Sequence, residues 1–80
     1  MNLQKAVALR ISQLLIKNKT TRYSLCKQSF LLEETLKRII DEKNKDIKLS
    51  TIAKLSKGFK ISISKFFDDN LFNFNNLDLD

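Results

Sequence analysis

The stretch TTRYSLCKQSFLLEETLKRI, residues 20–39, decides the fold of this chain. Thr21 is suited to cap a short helix from Arg22 to Gln28, since its hydroxyl can accept a hydrogen bond from an exposed backbone N–H. A connection at Ser29–Leu32 leads to another short helix, from Glu33 to Asp41 or Glu42, which has an apolar edge at helical spacing. Two short helices joined by a four-residue connection have the spacing of a helix-turn-helix unit.

Three further helices are expected around this pair. A first helix runs from about Asn2 to Asn18, a fourth from Leu49 to Lys57, and Ser62 caps a fifth helix of one or two turns. The chain has no proline and one glycine, Gly58, so few residues interrupt its helices. The sequence therefore predicts an all-α domain of five short helices. The residues expected on its buried side are Leu3, Val7, Ile11, Leu14, Leu15, Leu25, Cys26, Leu36, Ile39, Ile40, Leu49, Ile52, Ala53, Leu55, Phe59, Ile63, Phe66 and Phe67.

The composition argues against an enzyme and for a binding protein. The 80 residues contain no His and a single Cys, which excludes His-dependent triads, a zinc site of Cys and His ligands, and an intrachain disulfide. No Gly-rich phosphate loop or ligand cluster is present, so no cofactor and no small-molecule substrate is expected. No apolar run approaches the length of a membrane span, and the N-terminus lacks a signal-peptide core. We expect a cytoplasmic protein without a membrane partner.

The charge is unevenly distributed along the chain. Residues 1–65 hold all 15 basic residues and five of the nine acidic ones, whereas residues 66–80 hold the other four acidic residues and no basic one. The whole chain carries a net charge of +6 at pH 7. A basic body indicates a polyanionic partner, and the acidic end indicates a different role for the last residues.

Residues 20–39, together with KLSTIAKLSKGFKISISKFF at residues 48–67, resemble the Cro/phage-repressor (XRE-type) helix-turn-helix domain. The resemblance extends over roughly Leu9 to Phe67 and is most specific in its second half. It implies a five-helix lambda-repressor-like fold and binding to double-stranded DNA. The family commonly acts as a homodimer on a site with two-fold symmetry, so a homodimer is expected here.

The resemblance also implies which residues touch DNA. Arg22, at the start of the second helix, would hold a phosphate. The recognition helix would present Glu33, Glu34 and Arg38 to base edges, with Lys37 beside them; Arg38 can bind guanine through two hydrogen bonds, while the glutamates can accept from cytosine but repel phosphates. The loop after that helix would contact the DNA backbone. Its expected contact residues are Lys43, Asn44, Lys45 and Lys48.

The sequence departs from the family pattern at three places. Phe30 stands where the turn usually has Gly, and a bulky residue at positive φ is strained, so we expect this turn to take another path. Leu32 replaces the usual Ser or Thr cap of the recognition helix and cannot accept from an exposed N–H. Leu15 and Ile40 occupy the positions at which many members have an Arg–Glu ion pair.

Two functions remain open from the sequence. The first is a small phage-repressor-like transcriptional regulator that binds duplex DNA with sequence specificity. The second is a degenerate helix-turn-helix domain used as a protein-interaction module, which the apolar and acidic residues at positions 30 and 32–34 favour. A steep loss of DNA affinity with salt would distinguish the first from the second.

The end of the chain is expected to be an association element. We divide the chain into a helix-turn-helix domain, residues 1–69, and an acidic, aromatic tail, residues 70–80. A helix through Asp68–Phe74, continuing the fifth helix, would align Phe67, Leu71 and Phe74 on one stripe. Such a stripe would be stabilised by its own copy in a two-fold dimer.

Overall fold

The structure, a computed structural model, describes residues 1–79 and consists of five α-helices followed by two turns of 3-10 helix. The helices are α1 (Leu3–Lys17), α2 (Arg22–Ser29), α3 (Glu33–Ile40), α4 (Leu49–Gly58) and α5 (Ile63–Phe66). The two 3-10 turns are Asn70–Phe72 and Phe74–Asn76. The predicted all-α, five-helix fold is therefore confirmed, with helix ends within one or two residues of the predicted ones.

Three helices begin at a side-chain cap. The Asn2 carboxamide oxygen accepts from Lys5 N (2.8 Å), Thr21 Oγ1 accepts from Ser24 N (3.1 Å) and Ser62 Oγ accepts from Lys65 N (3.1 Å). Each cap satisfies one of the backbone donors that a helix start leaves unpaired. The caps predicted at Thr21 and Ser62 are confirmed.

One apolar core holds the helices together, with α2 packed chiefly on α4 and α1 on α3. Leu15 and Ile40, the two apolar replacements for the ion pair, both pack against this core. The buried members of the core are Val7, Ile11, Leu14, Leu25, Cys26, Leu36, Ile39, Ile52, Leu55, Phe59 and Phe66.

Three residues predicted to lie in the core are exposed. Leu3, Leu49 and Ile63 keep 44%, 67% and 42% of their surface in contact with solvent. Each is the first residue of its helix, and helical side chains tilt toward the N-terminus. The side chain of a first residue therefore extends past the end of its helix instead of over the core. Ala53, also predicted to be buried, is half-buried.

The close packing of α2 on α4 depends on the single glycine. A Cβ atom at Gly58 would lie 2.0 Å from Ser29 Oγ and 3.0 Å from Leu25 Cδ1. Gly58 has no positive φ, so its role is to allow this close approach of two helices.

The end of the chain does not continue α5, and the predicted helix through Asp68–Phe74 is wrong. The backbone at Asp69 is extended (φ −158°, ψ 152°), and the Asp69 carboxylate accepts from Leu71 N at 2.9 Å to begin the first 3-10 turn. Phe72 then packs edge-to-face on Phe67, with ring centroids 4.9 Å apart. The stripe of Phe67, Leu71 and Phe74 does not form.

A buried arginine that was not predicted from the sequence explains why α5 does not continue beyond its last residues. Arg10 of α1 is 7% exposed; its Nε donates to Phe66 O at 2.6 Å and its Nη2 donates to Lys65 O at 2.8 Å. Its Nη1 lies 3.5 Å from Asp69 Oδ2. The last carbonyls of α5 are thus paired with a guanidinium, so no continuing helical turn is needed to satisfy them.

The last described residues return to the start of α1. Asp78 N donates to Met1 O at 2.7 Å, and Asn2 and Asp78 form an isolated parallel bridge. Asp78 therefore lies against the start of its own chain. None of the helices in residues 1–79 combines the length and the apolar character that crossing a bilayer requires.

Candidate nucleic-acid interface

The turn between α2 and α3 takes the left-handed conformation despite its bulky residue. Phe30 has φ 58° and ψ 34°, and its N–H donates to Cys26 O. Leu31 N also donates to Cys26 O, at 3.2 Å. Our expectation that Phe30 would force another path is wrong: the hydrogen bonds of the turn determine its shape, at a cost of about 1–2 kcal/mol for a non-glycine residue.

The recognition helix α3 begins without a side-chain cap. Leu32 occupies the N-cap position and makes no side-chain hydrogen bond, as predicted from the sequence. Glu33 and Glu34 lie in the first turn, where their negative charges interact favourably with the helix dipole. Leu36 and Ile39 face the core, so the opposite side of the helix faces solvent.

That solvent-facing side carries an ion pair of its own. Arg38 Nη2 lies 3.3 Å from Glu34 Oε1, one helical turn away, and the two side chains are 60% and 75% exposed. An exposed pair of this kind contributes about 0.3–0.5 kcal/mol, so the guanidinium can be released to another acceptor at little cost. A shallow depression surrounds it, lined by Glu33, Glu34, Lys37, Arg38, Asp41 and Lys43.

The structure brings together five of the predicted contact residues and adds one. Glu33, Glu34, Lys37, Arg38 and Lys43 line the same depression, and Asp41, which the sequence analysis did not select, lines it too. Lys43 is placed there by the end of α3, where Lys43 N donates to Arg38 O at 2.9 Å. Asp41 could have been expected because it follows Lys37 by one helical turn.

The remaining contact candidates lie outside that depression. Arg22 is exposed at the first position of α2. Lys45 and Lys48 are exposed in the loop before α4, and Asn44 is half-buried there. The Gln4 carboxamide donates to Lys45 O and ties this loop to α1, so Lys45 lies near the N-terminus of α1.

Most of these cations have no anionic partner among the described residues 1–79. In the part of the chain that the structure describes, ion pairs within 4.0 Å involve only the N-terminal ammonium, Arg10 and Arg38. The side chains of Arg22, Lys37, Lys43, Lys45 and Lys48 are all exposed and unpaired in residues 1–79. Such side chains can exchange bound counterions for phosphates.

The one cysteine is not part of a reactive site. Cys26 lies on the buried side of α2, and this burial, together with the nearby Glu33 charge, raises the pKa of its thiol above the ordinary value. A raised pKa keeps the thiol protonated and unreactive at neutral pH, which fits the predicted role as a small core residue. Residues 1–79 contain no group of three or more His, Cys, Asp or Glu that could hold a metal ion.

The fold and this exposed helix define the class of the protein. Five short helices with a helix-turn-helix at α2 and α3, a solvent-facing α3 and unpaired cations on both sides of it are features of a DNA-binding domain. The chain belongs to the Cro/C1-type HTH DNA-binding domain family, whose model matches residues 10–70. No curated protein and no solved structure matches the chain. The family is one of DNA-binding domains and not a class of enzymes.

Proposed function

We propose that this protein is a small, phage-repressor-like transcriptional regulator that binds a specific double-stranded DNA sequence as a homodimer. The exposed Arg38 on α3 is the observation that carries the proposal. It lies on the solvent side of the recognition helix and is held only by a weak ion pair, so it is available to the two acceptors of a guanine. Residues 1–69 would be the DNA-binding unit, and the protein would act in the cytoplasm.

The residues divide into two roles under this proposal. Arg38 and Glu34 read base edges, Arg38 as a donor to guanine and Glu34 as an acceptor from cytosine on the complementary strand or a neighbouring pair. Arg22 binds a phosphate at the start of α2, where free backbone N–H groups add to its positive charge. The loop lysines Lys43, Lys45 and Lys48, together with Asn44, contact the DNA backbone.

Two substitutions test this division of roles. Arg38→Ala should weaken binding to the preferred sequence by about 1–3 kcal/mol and remove discrimination at one base position. Arg22→Ala should weaken binding to all sequences alike and reduce the salt slope by about one unit. The measurement is selection of a preferred duplex from a random pool by the unchanged protein, followed by titrations of that duplex and of a random duplex.

Lys65→Ala is the matched control, because Lys65 is an exposed cation on α5, outside the proposed contact set. It should leave both affinities nearly unchanged. Equal, sequence-independent losses for Arg38→Ala and Arg22→Ala would contradict the assigned roles. A random pool that yields no preferred sequence would contradict specific binding itself.

A second candidate, the protein-interaction module, is supported by two side chains in the turn. Phe30 and Leu32 are 78% and 76% exposed, next to the start of the recognition helix. Exposed apolar side chains contribute little to phosphate binding and more to a protein contact. If this were the main function, DNA affinity would be weak at every sequence and nearly independent of Arg38.

A further inference from the structure

The outward side of α2 carries an alternation of aromatic rings and lysines that the proposed DNA contacts do not use. Tyr23, Lys27 and Phe30 follow one another at helical spacing, and Lys57 reaches them from the end of α4. Lys27 Nζ lies 5.0 Å from the centroid of the Tyr23 ring, and Lys57 Nζ lies 5.5 Å from that of Phe30. We call these four residues the aromatic–cationic face.

This face is open to solvent and has excess positive charge. Tyr23 and Phe30 are 59% and 78% exposed. No carboxylate in residues 1–79 lies within 4.0 Å of Lys27 or Lys57. A phosphate could neutralise the two lysines but would leave the rings in water. An acidic segment that also carries apolar side chains satisfies both the lysines and the rings.

The same chain contains such a segment at its other end. We call residues 68–79 the acidic tail, which starts two residues before the tail predicted from the sequence. It includes three aspartates and no base. Phe74, at the start of the second 3-10 turn, is 80% exposed, and Leu79 is 60% exposed. The Asp78 carboxylate pairs with the N-terminal ammonium at 3.3 Å yet stays 79% exposed, and Asp68 is exposed with no ion pair in residues 1–79. The tail thus offers an exposed ring and carboxylates, which complement the exposed rings and ammonium groups of the face.

The acidic tail cannot bind the aromatic–cationic face of its own molecule. It is fixed to α1 through the contacts of Asp69 with Arg10 and of Asp78 with Met1 and Asn2. Phe72 is the tail ring that packs on the core, and Phe74 is left in solvent. A partner for Phe74 must therefore come from outside the molecule.

We propose that the aromatic–cationic face of one copy of this protein binds the acidic tail of a second copy, with Phe74 packed against Phe30 and tail carboxylates near Lys57 and Lys27. The two surfaces differ, so the contact is head-to-tail. It uses neither Arg38 nor Arg22, and so it can join neighbouring copies while their recognition helices are on DNA. The predicted role of the tail in association is retained, but through this contact and not through a two-fold helix pair.

Three variants separate the contributions to this contact. Phe30→Asn removes the ring of the face and keeps the turn, since asparagine tolerates the left-handed conformation. Lys57→Gln removes a cation of the face without touching the turn, and Phe74→Asn removes the exposed ring of the tail. The matched control is Ile16→Gln, because Ile16 is 79% exposed on α1 and belongs to neither surface.

The experiment is sedimentation velocity of the full chain without DNA, over a range of concentrations at low salt, with circular dichroism to confirm folding. The unchanged protein and Ile16→Gln should associate alike. Phe30→Asn and Phe74→Asn should each weaken association about tenfold or more, and Lys57→Gln should weaken it less. A mixture of Phe30→Asn with Phe74→Asn should associate again, because one keeps an intact tail and the other an intact face. It should stop at pairs, since the other two surfaces are disabled.

Because no DNA is present, the outcome is independent of the proposed DNA-binding function. The proposal is overturned if the unchanged protein does not associate, or if Phe30→Asn and Phe74→Asn both sediment like it. It is also overturned if their mixture associates no more than either variant alone. Should Phe30→Asn fail to fold, a mixture of Lys57→Gln with Phe74→Asn replaces it, and this mixture should associate more strongly than Phe74→Asn alone.

Discussion

At the scale of single residues, Arg10 joins three parts of the chain: α1, the end of α5 and the residues that follow α5. Its guanidinium is buried and pairs with the carbonyls of Lys65 and Phe66 and with the carboxylate of Asp69. Those carbonyls lie at the C-terminal end of α5, and the carboxylate lies just after that helix. One side chain of α1 therefore holds both α5 and the tail on the domain.

Replacing Arg10 by methionine should lower the free energy of unfolding by about 1–3 kcal/mol. Methionine fills part of the space but leaves the buried carbonyl oxygen of Phe66 without a donor. Urea titration followed by circular dichroism measures the loss. Lys5→Met, the same type of change at an exposed cation of α1, should cost much less. Equal losses at the two positions would show that the guanidinium pairing contributes little.

Glu33 and Glu34 are the two negatively charged residues of the recognition helix. They lie at its first turn, exposed, with Glu34 paired to Arg38. If this face lies in a DNA groove, changing both to glutamine should strengthen binding to random duplex, because two charges that repel phosphates are lost. Asp68→Asn with Asp78→Asn removes two exposed carboxylates elsewhere and should have a smaller effect. Identical gains for both pairs would mean that only the net charge matters.

At the scale of elements, the connections between helices are unusual in their residues with positive φ. Residues with positive φ follow α1, α2, α3 and α4, and none of them is glycine: they are Lys19, Phe30, Glu42 and Lys60. The one glycine is used for the contact of α4 with α2. Side-chain size therefore matters more at position 58 than at any of these turns.

Gly58→Ala should destabilise the protein by about 1–3 kcal/mol, the usual range for an overpacked core site. The added methyl would overlap Ser29 Oγ, which is buried and has no hydrogen-bond partner in residues 1–79. Ser29→Ala should be nearly neutral, since it removes an unsatisfied hydroxyl. The double variant should recover part of the loss of Gly58→Ala. If thermal or urea unfolding shows simple additivity, the clash lies elsewhere.

The helices themselves were largely predictable, since caps and apolar spacing act over a few residues. Thr21 and Ser62 cap as expected, and the core positions in the middle of each helix are buried. The wrong predictions for Phe30 and for the end of α5 involve longer-range effects. Whether Phe30 adopts positive φ depends on how α2 and α3 must meet, and the end of α5 depends on Arg10, 56 residues away from Phe66.

The candidate site was predictable only in part. The position of Glu34, Lys37 and Arg38 on the solvent side of α3 follows from the helical period, so the sequence could indicate it. The signal for Arg10 was present too, because it lies at positions i+3 from Val7 and i−4 from Leu14, within the buried stripe of α1. An arginine there indicates a buried partner, which the sequence alone does not identify.

At the scale of the whole molecule, charge is separated into a basic body and an acidic end. The unpaired cations lie on the first residue of α2, on α3 and in the following loop, the parts of a helix-turn-helix domain that approach DNA. The acidic tail is held against α1. The body is therefore left free to bind a polyanion, and its affinity should depend strongly on ionic strength.

Titration of the full chain with duplex DNA at several salt concentrations tests whether this surface binds duplex DNA. If Arg22, Lys37, Lys43, Lys45 and Lys48 each neutralise about one phosphate, the logarithm of the binding constant should fall against the logarithm of the salt concentration with a slope of about −4.5 per copy. A slope near zero, or no binding at low salt, would contradict the account.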